Sequence, residues 1–297
     1  MKSSYNRVVY AIKSAGIGFL ILFTACKKTI HSALPDDKES VAMNFYAASD
    51  VLATVGTGIV PIYIDSYEPE KIPGSAGANF PYFDYNVRGQ KLEYPVIYGA
   101  NTDVYFVRYK AGPHRYMFTD TSRRIVVDTT MVFANRSFNC LYLADAATGD
   151  NMPAQYVMKA VEEPRSVPAG KIGVRFIHLS ADAGDLSCQL QKSDGSAVNV
   201  LSDVLKFGEA SDYQYYDSSN ISVNSLLRFS LSNTSTGASV QTGVAFFPGR
   251  SYALVFTGFL RDQRRKIATG KNADGSTLYA SVVIGANLRA EIRITYQ

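Results

Sequence analysis

Leu288-Arg289-Ala290-Glu291-Ile292-Arg293-Ile294-Thr295, near the C-terminus, alternates apolar and polar residues without a break. Successive side chains on an extended strand point to opposite faces, so this period of two predicts a β-strand. Leu288, Ala290, Ile292 and Ile294 are expected to be buried, and Arg289, Glu291, Arg293 and Thr295 to be wet. Short runs of the same kind occur at 60–64, 104–109, 125–127, 138–143, 174–179, 186–190, 226–231 and 252–257. Gly, Pro, Asn and Asp separate them, as turn formers do between strands. Asp194-Gly195 between two such runs is a tight-hairpin signal, because these residues tolerate positive φ. With 20 Tyr, 16 Phe and no long helical stretch, the chain is expected to be all-β.

The two halves repeat each other. Asn44-Phe45-Tyr46-Ala47-Ala48-Ser49-Asp50 aligns with Arg175-Phe176-Ile177-His178-Leu179-Ser180-Ala181-Asp182, with one residue inserted. Val60-Pro61-Ile62-Tyr63-Ile64 aligns with Leu186-Ser187-Cys188-Gln189-Leu190. Phe133-Ala134-Asn135-Arg136-Ser137-Phe138 aligns with Phe247-Pro248-Gly249-Arg250-Ser251-Tyr252. On this alignment Cys188 matches Ile62 and Cys140 matches Leu254, so both cysteines read as small core hydrophobes. Two tandem β-sandwich domains are expected, at 41–163 and 171–297, joined by a proline-bearing linker at 164–170.

Residues 1–25 stand apart. Lys2, Arg7 and Lys13 precede an uncharged run at 14–25, whose 12 residues would span about 18 Å as a helix. That is short of the roughly 30 Å hydrocarbon core, so the segment reads as a cleaved signal peptide. Its end, Phe23-Thr24-Ala25-Cys26, resembles the processing site of bacterial lipoproteins, with Phe23 where an aliphatic residue is usual. The resemblance implies cleavage before Cys26 and lipid attachment to it, hence an outer-membrane protein facing the periplasm or the outside. The alternative is an ordinary secretory leader with an incidental cysteine. Residues 26–40 are polar and aperiodic and read as a disordered tether. The leader holds three of the 30 basic residues and none of the 26 acidic ones, leaving 27 against 26. A near-neutral mature chain gives no basis for nucleic-acid binding.

Val174-Arg175-Phe176-Ile177-His178-Leu179-Ser180-Ala181-Asp182-Ala183 resembles the opening motif of domain-of-unknown-function family 4397, found in secreted and lipid-anchored proteins of the Bacteroidota. Phe247-Pro248-Gly249-Arg250-Ser251-Tyr252 is similar to that family's aromatic-Gly-x-x-Tyr strand entry. The resemblance covers the second half nearly throughout and implies an antiparallel sandwich of immunoglobulin-like type. It implies no activity.

Chemistry-bearing motifs are sparse. His31, His114 and His178 show no metal-ligand spacing, and the nucleophile-elbow and phosphate-loop patterns do not occur. No metal or cofactor is expected. His178 with Ser180, Asp182 and Asp185 would suit hydrolysis if these groups converged; otherwise His178 and Ser180 brace a turn. The basic run at 261–266 reads as a solvated hairpin or loop. The first half carries an insertion at 67–89, in which Tyr82, Phe83 and Tyr85 flank Asp84. These aromatics either form a contact surface for a glycan or protein, or fold back as a cap or edge strand. The expected function is non-enzymatic: a binding or adhesion module, or alternatively a structural subunit that self-associates through sheet edges.

Overall fold

A computed structural model describes residues 37–55, 58–71, 80–85, 93–95, 103–191, 196–200, 204–219, 228–233, 240, 243 and 245–296. The leader, Cys26 and the Asp194-Gly195 turn lie outside them. The first half runs through β1 (Ser40–Ala48), helix α1 (Asp50–Val55), β2 (Ile59–Ile64), β3 (Tyr82–Asp84) and β4 (Glu93–Tyr94). It continues with β5 (Val107–Lys110), β6 (Gly112–Thr119), β7 (Ile125–Phe133), β8 (Phe138–Asp145), β9 (Met152–Pro153) and β10 (Tyr156–Glu163). The second half holds β11 (Lys171–His178), β12 (Leu186–Gln191), β13 (Ala197–Val200), β14 (Gln214–Asp217) and β15 (Arg228–Asn233). β16 (Ser251–Thr257), β17 (Gln263–Lys271), β18 (Thr277–Ile284) and β19 (Arg289–Tyr296) complete it. The fold is all-β, as the alternation predicts. Order begins earlier than expected: Asp37–Glu39 form a 3-10 turn and Ser40 already pairs with Lys110.

Each half builds a two-sheet sandwich. In the first, β10-β8-β1-β4, with β5 also on β1, faces β3-β2-β6-β7. Met43, Phe45, Leu141 and Leu143 meet Val60, Ile62, Tyr116 and Phe118 in its core. In the second, β14-β11-β16-β19 faces β13-β12-β15, and Val174, Phe176, Leu254 and Phe256 meet Leu186 and Cys188. Burying each such large apolar side chain contributes about 1.5–3 kcal/mol. Most pairings are antiparallel, but β1 joins β8, and β11 joins β16, in parallel.

The sandwiches are not separated by solvent. Tyr46, Ala48, Cys140, Tyr142, Ala144 and Val161 on the back of the first central sheet pack against Ile177, Leu179, Ala253 and Val255 on the back of the second. The result is four β-layers with three interiors. β1 is therefore buried at all nine positions, where a one-faced strand would be buried at every second one. The β17–β18 hairpin leaves the second sandwich, pairs in parallel with β9, and covers a small cluster of Val51, Phe259, Ile267 and Ile284.

Two expectations are corrected here. Residues 104–106 do not extend β5; Val104 N–H instead donates to Ile294 O at 2.8 Å, against β19. The repeat alignment is also off by one residue around β8. Arg136 (φ 62°) and Gly249 (φ 80°) are the equivalent left-handed turn residues. Their N–H groups donate to Ser40 O and Lys171 O, the first residues of β1 and β11. Asn44 then pairs with Cys140 as Arg175 pairs with Ala253, while Leu141 is the counterpart of Leu254. A shift of one flips a strand residue to the other face, so Cys140 belongs between the sandwiches rather than inside one. Both thiols are buried; burial pushes Cys188 up to about 12 and raises Cys140 as well.

Candidate functional site

Of the sequence-selected residues, His178 and Asp182 serve separate turns, while Asp185 lies near enough to His178 for its charge to favour the protonated ring. His178 Nε2 lies 2.7 Å from the Gly184 carbonyl, so it donates, and Nδ1 accepts from the Ser180 N–H at 3.3 Å. Burial lowers the pKa of His178, which keeps the ring neutral in this role. Asp182 points elsewhere, accepting from Leu260 N (2.7 Å), Arg261 N (3.1 Å) and Gln263 Nε2 (2.8 Å). His178 and Asp182 thus brace the turns leaving β11 and β16. In the basic run, Arg265 is buried rather than solvated, under Phe259 and within 3.3 Å of the Gly149 carbonyl.

Tyr82, Phe83 and Tyr85 do not share an exposed face. β3 pairs with β2, which turns Phe83 into the core beside Phe118. Tyr85 packs against the same core, and Tyr82 lies against Tyr94 with ring centroids 5.5 Å apart. Of the two readings of this segment, its described residues form the edge strand.

The densest polar chemistry is enclosed between the sandwiches. Arg293 is fully buried, donating from Nη2 to Asn44 Oδ1 (2.7 Å) and Glu93 Oε2 (2.9 Å). Its guanidinium carbon stands 4.2 Å from the Tyr46 ring centre and 5.2 Å from that of Tyr142. Burial opposes its charge, but Tyr142, Glu93, Cys140 and Tyr46 outweigh that and raise its pKa. Beside it, Glu163 accepts from Tyr213 Oη, and Tyr213 and Ser251 both contact Thr295 Oγ1. Burial raises the Glu163 pKa against the pull of Arg175, 3.9 Å away. The strand that opened the sequence reading is thus wet on neither face around Arg293 and Thr295. This enclosed cluster ties β19 of the second sandwich to β1 and β4 of the first.

An open crevice lies at the edge of this seam. Ser40, Ala42, Arg108, Arg136, Ser137, Phe138 and Arg165 enclose about 300 Å³. Strand pairing sets Arg108 of β5 opposite Ala42 of β1. The left-handed turn carries Arg136, which is followed closely by Phe138, the first residue of β8. Arg165 follows β10 and holds its guanidinium 5.7 Å from the Phe138 ring centre. A second hollow of about 280 Å³ shares Phe138 and Arg165 and adds Tyr105, Phe106 and Pro164. Phe106 meets Phe138 edge-on at 5.2 Å, so aromatic side chains line both hollows. No carboxylate is among the described residues lining either hollow. The three arginines are isolated in sequence, so no charged run announces them; only the turn before β8 was legible.

Fold and site together define an all-β, double-sandwich protein with a cationic, aromatic-walled surface crevice. No protein-family model matches the chain, and no curated protein matches it.

Proposed function

We propose that this chain is a lipid-anchored protein of the outer membrane, attached through Cys26 and acting as a non-catalytic binding or adhesion module for a glycan or protein. The crevice of Arg108, Arg136 and Arg165 is the observation that supports the reading. It is concave, open, and combines cationic groups with an aromatic wall, the ingredients of a recognition site rather than of acid–base or nucleophilic catalysis. Capture experiments with the full chain test it. A saturable glycan or protein partner, lost in the Arg136→Ala/Arg165→Ala double variant, is the expected result; no saturable partner overturns it. The anchor is tested separately: Cys26→Ala should release the protein from membranes after leader cleavage.

A second reading, a structural subunit that self-associates through sheet edges, is favoured by β18. This strand is the outer edge of the sheet β18-β17-β9, and Leu278, Tyr279 and Val283 on it are exposed. A long uncharged edge strand is a template for pairing. Sedimentation of the full chain should then show dimers that Val283→Lys dissociates; a monomer across the concentration range sinks this second reading.

A further inference from the structure

We infer that the crevice takes an anion, a phosphate or carboxylate group carried on a sugar-sized ring. The inference rests on the binding-module reading and narrows its ligand. Three arginines line one hollow, contributed by β5, the turn before β8 and the segment after β10. A guanidinium presents parallel N–H donors that match two oxygens of a phosphate or carboxylate, so clustered arginines select that geometry over a neutral hydroxyl. Ser40 and Ala42, which line the same hollow, carry small side chains, and Arg136 and Arg165 are exposed there.

The second component of the ligand follows from the wall. Phe138 and Phe106 line the adjoining hollow together with Arg165, and Tyr105, also in its lining, is 39% exposed. Aromatic side chains next to cations suit a sugar ring whose apolar face packs on them and whose substituent is charged. A volume of about 300 Å³ lies at the lower end of the range for small-ligand sites. That excludes a polymer lying inside but admits one residue of it. The surrounding molecule argues against a generic polyanion: beyond the leader, 27 basic residues face 26 acidic ones. The positive charge is a local arrangement and not a property of the whole surface.

Titration calorimetry on the full chain in neutral detergent tests this, with a hexose phosphate, a hexuronate, the neutral hexose and inorganic phosphate as probes. The expected result is saturable binding of the hexose phosphate or hexuronate and none of the neutral hexose. Arg136→Ala and Arg165→Ala, both exposed positions whose fold is checked by thermal unfolding, should each weaken binding at least tenfold. Phe138→Leu should weaken the sugar anion but leave inorganic phosphate unchanged. Vesicles with and without an anionic phospholipid distinguish the source. Binding to anionic vesicles competed by the hexose phosphate places the same group on a lipid headgroup, whereas indifference to vesicles places it on a free or glycan-borne sugar. Equal binding of the neutral hexose, or unchanged affinity in both arginine variants, overturns the inference. The binding-module reading survives that outcome if the capture experiment still yields a saturable partner, and falls with it if none is found.

Discussion

Arg293 shows how much of this fold hangs on single buried polar groups. It shares the gap between sheets with Asn44, Glu93, Tyr46 and Tyr142, and its Nε and Nη1 have no hydrogen-bond partner among the described residues. Removing one member of such a pair strands the other charge away from water. Arg293→Ala should therefore cost about 3–5 kcal/mol, read as a lower urea midpoint, and adding Glu93→Gln should recover part of it. Asp145 is a second case. It accepts from Ser49 Oγ (2.5 Å), Asp50 N (2.8 Å) and Val51 N (3.3 Å), tying β8 to the start of α1. Burial pushes its pKa up to about 7 against those donors, from 3.8 when exposed. The folded state then binds more protons than the unfolded chain between those values. The contribution of Asp145 is present below about pH 4 and lost as pH rises through 7, by up to about 4 kcal/mol. Comparing Asp145→Asn with the parent should show this: the variant loses that pH dependence, and equal slopes refute the assignment.

At the scale of elements, the two halves solve the same turn with different residues. Gly249 and Arg136 both sit in the left-handed region, where a Cβ is unfavourable by about 1–2 kcal/mol. Gly249→Ala meets open space and should lose about 1 kcal/mol from the backbone alone. Gly258 (φ 87°) differs, because a Cβ there would lie 2.5 Å from Asn287 O. Gly258→Ala should cost clearly more than Gly249→Ala in thermal or urea unfolding, since the backbone atom it meets cannot rotate away. Arg136→Gly should stabilise the turn by about 1 kcal/mol while weakening the crevice. Retaining arginine in a strained turn is what a binding role for that side chain would require.

At the scale of the molecule, the back-to-back sheets make the two sandwiches one cooperative body. A third apolar interior containing Tyr142, Ile177 and Val255 joins them. Calorimetry should show a single transition. Val255→Arg, which places an unpaired charge in that interior, should cost several kcal/mol and split the transition in two. Two transitions in the parent protein would refute the coupling. The same architecture explains what was legible beforehand. Strand positions, the duplication and the buried state of Cys188 all follow from local periodicity. The crevice does not, because Arg108, Arg136 and Arg165 converge only through strand pairing and a linker.

Alternation along residues 288–295 was sufficient to specify a strand and to sort its side chains into two sets, because the period of an extended chain is a local property. Which set meets water is not local. It depends on what the rest of the chain lays against each face, and here a second sheet covers the polar side. Burying Arg293 and Thr295 is tolerated only where Asn44, Glu93, two tyrosine rings and the Tyr213–Ser251 hydroxyls receive them. Those partners come from strands scattered along the chain, and only the tertiary structure brings them together.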